Sequence, residues 1–221
     1  NGHTQGFLVE AVDTILRLDW SQMRVPPQML AAKLGGLVTA VTELPNGELV
    51  MMLDVEKVLS ETSGYDDDHL LKGIEPMGNP EATVLYADDS SVARNQIART
   101  LEVLKVKGIV AVNGRMAWEE LQKIALVADS TGCKVKDLVG VVLTDIEMPE
   151  MDGYILTKKI KSDPRFEGVP VLMHSSLSGM SNQQLGLSVG VDEYVPKFEP
   201  QRLSSTLRRL LNKGESDAAA A

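Results

Sequence analysis

From Ala82 onward the chain repeats one pattern five times, a short apolar run followed by an amphipathic stretch of helical period. The runs are VLYA, GIVAV, VGVVLT, VPVLMHS and VDEYVP. Helices are expected near Val92 to Leu104, Arg115 to Ala128, Tyr154 to Lys161, Ser181 to Ser188 and Gln201 to Leu211. Strands without a polar face must be covered on both sides, and regular alternation with helices sets them parallel. The expectation is an α/β domain with a parallel sheet.

The region before Ala82 follows a different pattern. GFLVEAVDTILRL, GGLVTAVTEL and GELVMML read as β-rich runs, with Pro45-Asn46-Gly47 as a hairpin turn between the last two. A short helix is expected from Val55 to Ser60. So few strands leave unpaired edges, and the expectation is that part of this module precedes Asn1. Residues 63–81, rich in Asp and then in Gly and Pro, read as a linker. Asp66-Asp67-Asp68-His69 within it reads as a solvated charge run, because contiguous side chains converge poorly on one ion. The predicted division is 1–62, the linker 63–81, an α/β domain over 82–214 and a tail over 215–221.

Composition narrows the partners. Of 221 residues, 31 are acidic and 22 basic, and the formal charge of −9 opposes binding to a nucleic acid backbone or an anionic membrane. A cation or a basic partner is easier to accommodate. The single cysteine, Cys133, permits no intrachain disulfide and suits a reducing compartment. With no apolar run near the ~20 residues of a membrane span, the expected location is the cytoplasm, with no direct membrane insertion.

In open parallel sheets, ligands bind outside the carboxyl ends of the strands. Four strand ends here carry reactive groups: Asp88-Asp89 after the first, Asp145 after the third, Ser175-Ser176 after the fourth and Lys197 after the fifth. Taken singly, Asp88-Asp89-Ser90 could cap a helix and the others could be solvated ends. Together they describe a pocket in which repelling carboxylates call for a cation. Their oxygen donors suit Mg²⁺ and a phosphoryl group. His174 reads as a packed strand residue, and Met148 and Met151 as packing groups.

The stretches YADDS, TDIEMPEMDG, MHSS and YVPK, each at a strand end, resemble the receiver domain of two-component response regulators. The resemblance implies a flavodoxin-like (βα)5 fold, doubly wound, with strand order 2-1-3-4-5 as in CheY. It makes Asp145 the phosphoacceptor, a carboxylate nucleophile forming an aspartyl-phosphate. Asp88, Asp89, Asp145 and the backbone carbonyl of Glu147 would hold Mg²⁺, Lys197 and Ser175 would bind phosphoryl oxygens, and Tyr194 would follow activation. Pro149 and the Asp152-Gly153 turn would present Asp145 rigidly. The chain departs from the receiver pattern at Phe198, where proline is common and where Pro196 instead precedes the lysine, leaving the aim of Lys197 open. It also departs at the acidic Glu147, expected to alter dephosphorylation, and in ALVADSTGCKVKDLVG, read as an exposed insertion.

The segments GFLVEAV and LVMMLDVEKVL resemble the later strands and last helix of CheW-like coupling domains. A CheW-like module followed by a receiver is the order of the CheV family of chemotaxis coupling proteins. That resemblance implies phosphoryl transfer from the histidine kinase CheA, contact with methyl-accepting chemoreceptors and CheW, recruitment to receptor arrays, and a regulatory rather than enzymatic role. Two other readings remain open. One is a phosphorylation-independent scaffold. The other is a haloacid-dehalogenase-type phosphatase, which would want Asp where Glu147 stands.

Overall fold

The computed structural model describes residues 8–58, 70–78, 82–176 and 186–218. The Asp66-Asp67-Asp68-His69 run and most of the helix expected over Ser181 to Ser188 lie outside them. The described part of that segment, 186–188, is helical, and the helix extends to residue 189.

Five parallel strands form the C-terminal sheet: β3 (Thr83–Ala87), β4 (Lys107–Ala111), β5 (Val141–Thr144), β6 (Val171–Ser175) and β7 (Glu193–Pro196). Their order is β4-β3-β5-β6-β7, the 2-1-3-4-5 arrangement implied by the receiver resemblance. The three central strands are almost wholly buried, as apolar runs covered on both faces require.

Helices α2 (Ser91–Leu104) and α6 (Pro200–Ala218) cover one face, and α3 (Gly114–Thr131), the short α4 (Val135–Leu138) and α5 (Gly153–Ser162) the other. Each long helix buries a stripe at helical spacing, such as Ala117, Leu121, Ala125 and Ala128 on α3. Full burial of a side chain such as Leu121 or Ile160 contributes roughly 1.5–3 kcal/mol. Polar caps set where the helices begin: Ser90 Oγ accepts from Ala93 N at 3.4 Å, Asn113 Oδ1 from Met116 N at 2.8 Å and Asp152 Oδ1 from Ile155 N at 2.7 Å.

In the N-terminal module α1 (Gln28–Lys33) precedes an antiparallel hairpin of β1 (Val38–Glu43) and β2 (Leu49–Leu53). Gly47 N donates to Leu44 O and Leu44 N to Glu48 O, both at 2.8 Å, and Gly47 has φ +85°. This is a type I turn closed by a glycine bulge, so Gly47 takes the left-handed conformation for which glycine is suited. A helical turn at 55–58 follows β2 directly.

Three expectations need correction. The described part of GFLVEAVDTILRL, from Leu8 on, forms no strand, and Leu8, Val12 and Ile15 are exposed. A β pattern becomes a strand only where a partner edge meets it, and among the described residues none does. ALVADSTGCKVKDLVG is not an exposed loop: α3 runs on to Thr131, Gly132 ends it at φ +72°, and Val135 and Val139 enter the core. The last helix continues to Ala218, beyond the expected Leu211. Within 70–78, assigned by sequence to the linker, Met77 is buried and donates its N–H to Leu104 O at 2.8 Å, while Arg208 Nη2 donates to Glu75 O at 2.6 Å.

Candidate phosphoacceptor site

The carboxyl ends of β3, β5, β6 and β7 meet in one cleft of about 190 Å³, with Asp89, Asp145, Glu147, Ser175, Ser176 and Lys197 on its walls. Asp145 follows β5 directly, and its N–H donates to Ala87 O at 2.8 Å. Its Oδ1 accepts from Ile146 N at 2.7 Å, and its Oδ2 accepts from Lys197 Nζ at 2.9 Å. The loop beyond it is pinned by Gly153 N donating to Ile146 O at 2.8 Å, and a Cβ on Gly153 would fall on the Asp145 carbonyl oxygen. Met148, fully buried, and Met151, partly so, anchor this loop in the core.

Capping of α2 falls to Ser90, so Asp89 is left on the cleft wall and Asp88 lies buried beside it. Asp88 is fully buried, with Oδ1 accepting from Ser90 N at 2.9 Å and Oδ2 lying 3.0 Å from Lys197 Nζ. Asp88, Asp89 and Asp145 bring one carboxylate oxygen each within 4.8 Å of one another. Burial pushes all three pKa values up, Asp89 to about 7 with the neighbouring Asp88 charge adding to the rise. Burial opposes the charge on Lys197, but Asp88, Asp145 and Glu56 outweigh it and hold its pKa well above the usual value.

Despite Phe198 following it, Lys197 reaches the pocket. Phe198 itself takes the strained φ of +62°, turning the chain immediately after the lysine. Ser175 is buried at the end of β6, and its carbonyl accepts from Lys197 N at 3.3 Å. Tyr194 is half-buried beside Tyr154, and its pKa is raised by burial and by the hydrogen bond to Tyr154. His174 is buried and held neutral, with a pKa pushed down to about 3, as expected of a packed residue.

The N-terminal module also contributes to the cleft, through side chains that no sequence pattern assigned to it. Thr39 hydrogen-bonds the Asp89 carboxylate, Ser90 Oγ donates to Asp54 Oδ1 at 3.2 Å, and Glu56 Oε1 lies 3.3 Å from Lys197 Nζ. Asp54 was legible as the cap of the turn at 55–58, whose Lys57 N it accepts at 2.9 Å. Nothing in its sequence context points to the receiver cleft.

Residues 84–208 match the response regulator receiver domain, more than half of the chain. The chain belongs to the response regulator receiver family. Residues 1–63 match the CheW-like domain, placing a coupling module before the receiver. The chain is 26% identical over 210 residues to chemotaxis protein CheV1 of Helicobacter pylori, covering 94% of this chain and 63% of that protein's length. Its receiver is 33% identical over 139 residues to a CheY homolog of Campylobacter jejuni, covering 62% of this chain and 98% of the homolog. A crystal structure of a putative response regulator from Chloroflexus aurantiacus shares the fold, with a TM-score of 0.51 at 24% identity over 59% of this chain and 98% of that one.

The receiver's acidic cluster fits a divalent cation. Two buried carboxylates, Asp88 and Asp145, and the partly buried Asp89 face one another with the Lys197 ammonium among them, and burial together with their mutual repulsion raises all three pKa values, a state that a bound cation would relieve. All the donors are oxygens, the set that hard divalent cations prefer.

Proposed function

We propose that this chain is a chemotaxis coupling protein whose receiver takes a phosphoryl group from the histidine kinase CheA onto Asp145, changing how the CheW-like module engages chemoreceptors and kinase. The observation that carries the reading is the Asp145 carboxylate at a strand end, bonded to Lys197 and beside Asp88 and Asp89, in a receiver joined to a CheW-like segment.

In this reading an Asp145 carboxylate oxygen attacks phosphorus, the P–O bond forms and the P–N bond to the donor imidazole breaks. The imidazole nitrogen leaves with the electron pair and regains a proton. Lys197 and Ser175 pair with the phosphoryl oxygens, and Tyr194 follows the loop after β6. Mg²⁺ is the proposed cation, held by Asp88, Asp89, Asp145 and the Glu147 carbonyl, and when bound it would neutralise charge on the transferred group. Receiver-family membership supports a phosphoacceptor role rather than that of a turnover enzyme.

The same reading divides the chain into the C-terminal part of a CheW-like domain at 1–62, a linker at 63–81, the receiver at 82–214 and a tail at 215–221. Methyl-accepting chemoreceptors and CheW are the further partners, and the place of action is the cytoplasmic face of receptor arrays. Among the described residues no helix is long and apolar enough to cross a membrane.

The test is intact-mass measurement after incubation with Mg²⁺ and an acyl phosphate, with Asp145→Ala in parallel. One phosphate adduct requiring both Mg²⁺ and Asp145 is expected. Its absence, even with phosphorylated CheA, would favour the scaffold reading.

A further inference from the structure

The cleft at the strand ends is closed on one side by the N-terminal module. Glu56, on the turn at 55–58, places Oε1 3.3 Å from Lys197 Nζ and accepts from Ser176 Oγ at 3.2 Å. Its other oxygen, Oε2, is buried without a hydrogen-bond partner. The turn is fastened from both sides, since Asp54 accepts from Lys57 N within it and from Ser90 Oγ across the cleft. A further bond joins the modules where Glu150 N donates to Trp20 O at 3.2 Å.

A phosphoryl group on Asp145 needs the Lys197 ammonium, the donor that Glu56 already engages, and Ser176, which Glu56 also holds, is the residue next to Ser175. Glu56 is therefore an anion seated among donors suited to phosphate. It is also one carboxylate too many for the lysine that already serves Asp88 and Asp145. A surface ion pair made by chance would be exposed to solvent, whereas this one joins a lysine side chain only 5% exposed to a carboxylate 19% exposed.

We propose that Glu56 is an intramolecular occupant of the phosphoryl position, holding the CheW-like module against the unphosphorylated receiver and leaving it when Asp145 is phosphorylated. The inference rests on the phosphoacceptor reading of Asp145. A phosphoryl group brings about two negative charges to the cleft. It competes for Lys197 and repels Glu56, so the turn at 55–58 separates from the receiver. Conversely, docked Glu56 slows phosphorylation by engaging Lys197 and screening the cleft.

The experiment compares wild type, Glu56→Gln, the off-site control Glu43→Gln and Asp145→Ala as the full chain. Adduct formation with Mg²⁺ and an acyl phosphate is followed by intact mass, and amide hydrogen exchange over 49–58 is read before and after phosphorylation. Glutamine keeps the size of the side chain and an oxygen for Ser176 but removes the charge. The expected result is adduct formation about tenfold faster in Glu56→Gln, the scale of one partly buried charge contact. Exchange over 49–58 should also be faster in that variant without phosphate and in wild type after phosphorylation, with Glu43→Gln unchanged in both. Equal rates in wild type and Glu56→Gln, with an adduct that needs Asp145, overturn the proposal and leave the phosphoacceptor reading intact. No adduct in wild type or in Glu56→Gln overturns both.

Discussion

Lys197 Nζ lies 2.9 Å from Asp145 Oδ2, bringing the end of β7 to the end of β5 across the intervening β6. The lysine side chain is only 5% exposed, so the pair is a buried one, and it is shared with Asp88 at 3.0 Å. Removing one partner of such a cluster leaves charge without compensation.

Lys197→Ala is therefore expected to lower stability by about 3 kcal/mol in metal-free buffer, measured by urea unfolding. Adduct formation should fall at least about tenfold, because phosphoryl oxygens lose their cationic partner. Saturating Mg²⁺ should recover much of the stability and little of the rate.

The acidic cluster predicts a pH dependence. Asp89 titrates near 7 in the folded protein and near 3.8 in the unfolded chain, and Asp88 and Asp145 are shifted in the same direction. Between those values the folded state holds more protons, so their contribution is full below the unfolded value and is lost as pH rises through about 7. In EDTA the melting temperature should rise by about 3 °C or more from pH 8 to pH 6. With Mg²⁺ the slope should flatten, and metal binding at pH 7 should release protons, detectable with an indicator dye. A flat profile in EDTA would contradict the burial-driven shifts.

Gly153→Ala tests how the nucleophile is presented. The added methyl would overlap the Asp145 carbonyl, and the neighbouring backbone is pinned by the bond from Gly153 N to Ile146 O. The expected cost is about 2 kcal/mol in denaturant unfolding, together with slower adduct formation. A fully stable variant would show that the loop between β5 and α5 is softer than its packing indicates.

Val139→Ala addresses the segment after α3. Val139 is fully buried in the core beneath α3 and α5, and the change should cost about 2 kcal/mol, against less than about 0.5 kcal/mol for Val127→Ala on the exposed side of α3. Equal effects would restore the view of this stretch as a surface insertion.

The receiver was legible because its three central strands are buried on both faces, so VVLT and VLMHS carry their environment in their own composition, and each delivers its polar group where the apolar run ends. The segment before the first hairpin was not, because Val9, Val12 and Ile15 show only a preference that a partner strand must realise. Val135 and Val139 were hidden by the polar residues around Cys133, since Gly132 breaks the helix without sending the chain away from the core. Asp88, Asp89, Asp145 and Lys197 could be placed together from topology alone. Glu56 could not, because its partner Lys197 lies in another module and their meeting depends on docking rather than on local pattern.

The hairpin β1–β2 passes into Asp54 without an intervening loop, and its five-residue strand β2 spans about 17 Å. Paired strands bend little along their length, so the ribbon works as a pointer hinged at the cleft, with the Asn46-Gly47 turn at its tip. A tilt of about 5° at its base would carry that tip roughly 1.5 Å, given the same strand length. If Glu56 leaves the cleft as proposed, the change of charge at the strand ends would register as a displacement of the Asn46-Gly47 turn.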